Sequence, residues 1–590
     1  MAEPLFTRVD RPIGKLVGDV LEGRVGLPDL QRPFVWKDSD VRDLLDSMLR
    51  GYPIGYCILW EAPDDQEEKK SHIGVGSKSY AAPKELVIDG QQRLTALVSS
   101  LYGVEVRDQF FSTRRIRIAY DPMAREFHTW DAAIAKDARY IPDVSAVFEA
   151  KRSNSTSKFR RGYIERLNEA NGKRGVPPLD GDGEAGVEDG INELLSLETS
   201  YIIPILSISS KADEEQMSQI FIRVNSGGTK LNEDDFIMTL LSVYDPVMRA
   251  RIEDWCEASR RPGPGTSYNA LLAIKPSHVI RSVVGLGFGR GRLRYARLIL
   301  NGRDLETKET SAERREENFK RFGDALDKVL DLNDWHAFIN ALGDAGYVSG
   351  SLVSSENAVP LCYTIALIAR HRFGIAGVEL QGISRRWFSM AILTQMYTGN
   401  FESVFEQQLN SISKLDGADG FRAWVDGEIA ARLTDDYFRV TLPNEFGKSR
   451  ASGPAWNGFL AAQAVLGSRV LFGTGTVANL LLPASSGNKK PYDKHHVFPS
   501  NFLKGGPCGS ARDCRANFVC VDYQTNISIG DRSPGDYVAE YRAAAGEEAY
   551  ARTCRDNALP IGFEGMDYPD FLERRRFLMS DLVREAFARL

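Results

Sequence analysis

VIDGQQRLTAL, residues 87–97, decides how the first part of the chain folds. The apolar run ELVI (85–88) has strand length, Asp89-Gly90 supplies a tight turn, and Gln91, Gln92 and Arg93 open a helix whose Leu94 and Leu97 face inward. A strand feeding a helix N-terminus presents unpaired backbone N–H groups and the positive end of the helix dipole to whatever lies over the turn. Gly90 would admit a phosphate close to the backbone, and Arg93 adds a forked donor. The same residues also suit a plain turn with an N-cap Asp and an arginine paired to a nearby carboxylate. The short motif alone divides about evenly between the two readings.

Working outward, YIIPILSI (201–208) reads as a second strand, and VRDLLDSMLRGYPIG (41–55) spaces Val41, Leu44, Leu45, Met48 and Leu49 at helical intervals before Gly51 and Pro53 stop it. Residues 1–245 are therefore expected to alternate strands and helices. Two further segments resemble ligand-binding loops. QRPFVW (31–36) sets Gln31 and Arg32 beside Phe34 and Trp36, a combination that can hydrogen-bond and stack on a nucleobase or sugar. FIRVNSGGTKL (221–231) places Arg223, Asn225, Ser226, Gly227 and Gly228 before a helix that Asn232 would cap, a second possible anion nest or a simple loop. Residues 151–192 are polar and Gly-rich, with a basic block followed by an acidic one, and are expected to be an insertion or mobile loop.

With 590 residues the chain exceeds any single small domain, and 43% hydrophobic with 26% charged residues excludes collagen-like, disordered and disulfide-scaffold classes. Lys plus Arg number 74 against 80 Asp plus Glu, so any contact with nucleic acid must be local rather than the work of a global basic field. The seven cysteines form no Cys-x-x-Cys pair and read as reduced thiols in a cytoplasmic protein. No apolar run is long enough for a membrane span, and the first residues do not resemble a secretion signal. Residues 246–445 recur in apolar positions at three and four, as in 317–342 and 358–373, and are expected to form a helical middle region. From 446 to 590, Gly, Ser and Pro breaks precede a helix-rich tail.

That last region carries the second constellation. His495 and His496 are adjacent, follow Asp493, and precede Val497-Phe498-Pro499; downstream, Asn517 and Asn526 lie within ANFVCVDYQTNISIG (516–530). A hairpin strand leading into a helix would fit between them, and such a ββα unit can hold one divalent cation. Neighbouring residues on a strand point to opposite faces, so one histidine can ligate metal while the other takes a proton from water. Phosphodiester cleavage needs both functions. The plain alternative is one buried, satisfied histidine beside one solvated histidine.

The run QRPFVWKDSDVRDLLDSMLRGYPIG, then VIDGQQRLTAL, then IFIRVNSGGTKL strongly resembles the N-terminal domain of GmrSD-type restriction proteins, and the second constellation resembles the His-Asn-His (HNH) nuclease motif of the same family. The resemblance implies a multidomain α+β chain: a ParB/sulfiredoxin-like nucleotide-binding sensor domain (1–245), a helical connector (246–445) and a C-terminal ββα-metal HNH nuclease domain (446–590). It implies that Asp89 and Arg93 act in nucleotide hydrolysis, with Gln31, Arg32, Gly90, Gln91, Gln92, Arg223, Asn225, Ser226 and Gly227 around a nucleoside triphosphate (GTP, ATP, CTP or UTP). It further implies His496 as general base, Asn517 as the residue orienting it, and His495, Asn526 and Asp493 as ligands of Mg²⁺ or Mn²⁺. Asn526 stands where many such nucleases have histidine. The implied function is an anti-phage DNA endonuclease or nickase that responds to modified or phage DNA, with self-association left open. The alternatives are a nucleotide-dependent DNA-binding switch with an inactive nuclease site, and a nonspecific nuclease toxin.

Weaker signals remain. GLGFGRGRLRYAR (285–297) gathers Arg290, Arg292 and Arg294 with Phe288 and Tyr295, a candidate DNA-backbone patch or a solvated helix face. LDGDGEAGVEDG (179–190) lacks the glycine that a calcium loop needs at its sharp turn and is set aside.

Overall fold

The computed structural model describes residues 5–28, 34–61, 70–71, 84–107, 113–212, 220, 237–238, 241, 245–482, 493–504 and 512–590. The chain divides into two compact units, Met1–Arg249 and Ala250–Leu590.

In the first unit a six-stranded mixed sheet contains β1 (Phe6–Pro12), β2 (Val25–Pro28), β3 (Cys57–Glu61), β4 (Lys70–Ser71) and β5 (Glu85–Asp89); two small hairpins, β6 (Val106–Arg107) with β7 (Thr113–Arg114) and β8 (Ile118–Asp121) with β9 (Glu126–Thr129), lie outside it, and β10 (Ile202–Ile208) returns to it. The sheet order is β1-β10-β3-β5-β2-β4. Pro204 lies where β10 has β1 alone as a neighbour, since pairing with β3 begins at Ile205, so the missing N–H interrupts no ladder between β10 and β3. Side chains alternate across the two central strands. Cys57, Leu59 and Val87 enter the main core, whereas Ile58, Trp60, Leu86 and Ile88 join a smaller cluster with Ile208 and Ala212. Both faces are thus covered, which is why ELVI is a continuous apolar run.

The main core is supplied by α1 (Ile13–Leu21), α2 (Asp38–Leu49), α3 (Gln91–Tyr102), α4 (Ser145–Arg152), α5 (Thr156–Lys173) and α6 (Gly181–Ser200). The last two correct the expectation of a loop at 151–192. Despite their charges and glycines, both helices bury sparse apolar residues: Tyr163 and Leu167 from α5, and Val187, Ile191 and Leu194 from α6. Asp180 caps α6 by accepting from the Gly183 N–H at 2.8 Å, so the sequence set aside as a calcium loop forms the cap and first turns of this helix.

The second unit is largely helical. The helix Pro276–Phe288 packs against Ala312–Val329 and Ala358–His371, and every residue of AVPLCYTIALIA (358–369) is buried. Residues on both sides of 446 share this unit: Pro454–Val465 packs against Gly377–Leu393 and against the C-terminal helix Tyr568–Ala588. Within it, β11 (Asp493–His496) pairs antiparallel with β12 (Phe518–Val521), and the helix Tyr523–Ile529 follows. Val497, Phe498, Val519, Val521, Tyr537 and Phe571 form the core beneath them. Among the described residues no helix is long and apolar enough to cross a membrane.

Candidate functional site

The strand-turn-helix at 85–97 forms as its sequence requires. Gly90, at φ 95°, is the N-cap of α3 and offers no side chain to its first turn, leaving N–H groups there without a side-chain cap. The glycine is required twice over, because a Cβ there would also come within 2.5 Å of Cys57 Sγ. Cys57 of β3 thus fills the space that a side chain at position 90 would take. Arg93 donates through Nη2 to Asp89 Oδ2 at 3.2 Å and through Nη1 to the Ile54 carbonyl at 2.9 Å. Gly55, at φ 92°, lies where a Cβ would approach Arg93 Nη1 to 2.7 Å, so the guanidinium is walled in as well as bonded. The Asp89–Arg93 pair meets half of the plain reading of the turn: the arginine does pair with a carboxylate, yet the aspartate is not the cap.

Gln92 is buried and its Oε1 accepts from the Val35 N–H at 2.9 Å, tying the 34–36 segment to α3. Phe34 is buried in the main core, which corrects the expectation that it stacks on a base, while Trp36 packs against that core half-buried. Burial also pushes the Cys57 thiol up to about 11, with Arg93 opposing and Asp89 adding to the shift. Gln31, Arg32, Arg223, Asn225, Ser226 and Gly227 lie outside the described residues.

At the second constellation, adjacent histidines on β11 have different surroundings. His495 is buried and its Nδ1 lies 2.7 Å from Asn526 Oδ1 on the following helix. His496 stacks on Phe518, ring centroids 4.2 Å apart, and its Nε2 lies 3.2 Å from Asp513 Oδ1. Burial lowers the His496 pKa from its usual value, against the opposing effect of its hydrogen bond to the Asp513 carboxylate. Asn517, fully buried, accepts from the Phe498 N–H at 2.9 Å and donates to the Phe498 carbonyl at 3.0 Å and the Arg512 carbonyl at 2.9 Å. It therefore acts on the loop after His496 through the main chain. Asp493 pairs with Val521 in the strand register, and its side chain lies outside what is described.

Among the described residues no three His, Cys, Asp or Glu side chains converge. The Asn526 amide oxygen can only accept, so His495 Nδ1 carries the proton and its ring lone pair lies on Nε2; that nitrogen and the Asn526 oxygen are the donors a divalent cation retaining several waters would use. The arginine-rich segment is held differently. Arg290 reaches Glu406 at 3.4 Å, Arg292 reaches Ser403 at 3.3 Å, and buried Glu406 also accepts from the Gly291 and Arg292 N–H groups. Arg294 is exposed and lies over Tyr295. Two of the three arginines therefore anchor their own loop.

Residues 13–242 match the family model of the GmrSD restriction endonuclease N-terminal domain. Over these residues the chain is similar to a GmrSD N-terminal domain. The match includes the DGQQR turn, the ordered helices α5 and α6, and the segment 221–231. An uncharacterized protein of Methanocaldococcus jannaschii is 21% identical over 558 residues, covering 89% of this chain and 86% of its own length, so the likeness extends well beyond the GmrSD domain.

Several residues around these sites were not singled out by the sequence. Ile54 and Cys57 surround the Asp89-Gly90 turn, Asp513 and Phe518 contact His496, and Arg575 holds the backbone just before Asn517. Arg575, fully buried, donates to the Ala516 carbonyl at 2.7 Å and the Asn557 carbonyl at 3.3 Å, and burial lowers its pKa to about 9. A run of three arginines in a C-terminal helix gave no hint that the middle one is interior.

Proposed function

We propose that the chain is a metal-dependent DNA endonuclease of anti-phage defence, with an HNH site in its second unit under the control of a nucleotide bound to its GmrSD domain. The observation that supports this most is the contact of His495 with Asn526, a strand side chain donating to a helix side chain at 2.7 Å, while His496 next in sequence faces elsewhere.

In this reading His496 is the general base. A carboxylate can only accept, so Asp513 favours the tautomer with the proton on Nε2 and leaves Nδ1 to take one from water. Asn517 fixes the backbone at Phe498 and thereby the strand end that carries the base. His495 and Asn526, joined by Asp493, would hold Mg²⁺ or Mn²⁺. Such a cation supplies charge stabilisation to the phosphoryl and leaving oxygens.

In the GmrSD domain, Asp89 and Arg93 would act at the triphosphate over the start of α3, with Gln31, Arg32, Gln91, Gln92, Arg223, Asn225, Ser226 and Gly227 around it. GTP, ATP, CTP and UTP are all candidates. Its turnover would license cutting of modified or phage DNA in the cytoplasm.

The test is plasmid cleavage with Mg²⁺ or Mn²⁺, with and without each triphosphate, on plain, cytosine-modified and phosphorothioated DNA. Wild-type protein should cut in one substrate lane, His496→Ala should not, and Asp89→Ala should cut without responding to nucleotide. No cutting in any lane alongside intact nucleotide hydrolysis would favour the DNA-binding switch instead.

A further inference from the structure

An open cleft of roughly 810 Å³ is lined in part by Asp513 and Phe518, the two residues that His496 contacts. Its walls include Arg450, Ser452, Lys494, Arg512, Asp513 and Phe518, so three cations face one carboxylate. That carboxylate is already engaged, by His496 at 3.2 Å and by Arg512 at 3.5 Å. Lys494 donates to the Ala451 carbonyl. Arg450 and Lys494 are both exposed, and Arg450 alone of the three cations has a left-handed backbone.

Arg450 has φ 71°, in the left-handed region that a residue with a Cβ rarely adopts. Three hydrogen bonds hold it there. Its N–H donates to the Asp513 carbonyl at 2.7 Å, and its own carbonyl accepts from the Ser452 N–H at 2.8 Å and from Arg515 Nε at 3.0 Å. A glycine would meet every one of these main-chain requirements without strain, yet the position carries the longest cationic side chain, at the rim of a cleft that also holds His496's partners Asp513 and Phe518. Six other non-glycine residues share a positive φ, so it is the place of Arg450 at the rim of this cleft, together with its restraint, that motivates a functional hypothesis.

We propose that this cleft seats the DNA strand to be cut, with Arg450 a phosphate-binding residue next to His496. The inference rests on the nuclease reading and adds to it the surface that presents the substrate. A single phosphate contact contributes to affinity without regard to base sequence, and its loss should lower the slope of log K against log salt by about 0.9.

The test uses the full chain, a fluorescent 30-base-pair duplex in EDTA over a range of NaCl concentrations, and plasmid cleavage in parallel. Arg450→Gly should melt at the wild-type temperature or above, bind at least about threefold more weakly on any sequence, and lose about one unit of salt slope. Arg450→Lys should keep most of the slope. Wild-type affinity and slope in Arg450→Gly would overturn the proposal, and so would weaker binding accompanied by a lowered melting temperature that Arg450→Lys fails to rescue. His496→Ala separates the two ideas. If it abolishes cleavage while Arg450→Gly binds normally, the nuclease stands and the cleft falls; if it cuts like wild type, the nuclease reading falls whatever Arg450 does.

Discussion

Asn517 brackets Phe498 as a neighbouring strand would, accepting from its N–H at 2.9 Å and donating to its carbonyl at 3.0 Å from a side chain with no exposure to solvent. A side-chain amide can do this because it carries one acceptor and one donor pair in the same plane as a peptide group. The loop that leaves β11 after His496 is thereby given backbone-like pairing beyond the end of the strand.

Asn517→Ala should remove three buried hydrogen bonds, two to Phe498 and one to the Arg512 carbonyl. Leaving buried groups without partners costs about 1–3 kcal/mol each, and relaxation will recover part of it, so a loss of about 2–4 kcal/mol is expected in urea unfolding. Asn517→Asp would set a buried carboxylate against the Phe498 and Arg512 carbonyl oxygens, and should cost at least as much as Asn517→Ala. Wild-type stability in Asn517→Ala would show that the bracket contributes nothing.

Gly90 and Cys57 make a second close pairing, this time steric. Gly90→Ala would place a Cβ 2.5 Å from Cys57 Sγ at φ 95°, and should destabilise the GmrSD domain by about 2–3 kcal/mol through overlap and backbone strain together. Adding Cys57→Ala removes the overlap but not the strain. The double variant should therefore lose at least about 1 kcal/mol less than the two single losses combined. Strict additivity in a double-mutant cycle would refute the contact.

His278, buried in the second unit, is lowered to about 4 by burial, with Lys275 and Arg281 adding to the shift and Glu356 opposing it. Its Nδ1 accepts from the Lys275 N–H at 3.3 Å. Between its ordinary value near 6.5 and about 4, the unfolded chain binds a proton that the folded chain refuses, so stability declines as the pH falls through this window. The decline from this residue should be about 1.4 kcal/mol per pH unit, with the full contribution present above 6.5. An NMR titration should show one imidazole still neutral at pH 5. If all imidazoles titrate between pH 6 and 7, the burial argument fails.

What was legible in the sequence was governed by neighbours along the chain. An apolar run before Asp89-Gly90 and a polar helix start after it yield β5 and α3, and their family likeness matches residues 13–242. The His495-His496 strand and the helix bearing Asn526 follow from alternation and spacing in the same way. Helices α5 and α6 were hidden because their inward positions are few and their glycines many; only a core ready to receive Tyr163, Leu167, Val187, Ile191 and Leu194 makes them helical.

The sequence by itself determined which short segments would be strand, turn and helix, and which residue types could carry chemistry. Tertiary structure alone decided their partners. Arg93 meets a carbonyl 39 residues away, His496 meets Asp513 across a loop, and Arg450 is bound to the backbone of Asp513 more than 60 positions on. Hydrogen bonds of that range leave no periodic trace, because they depend on where the packed core brings two chain segments and not on what either segment prefers alone.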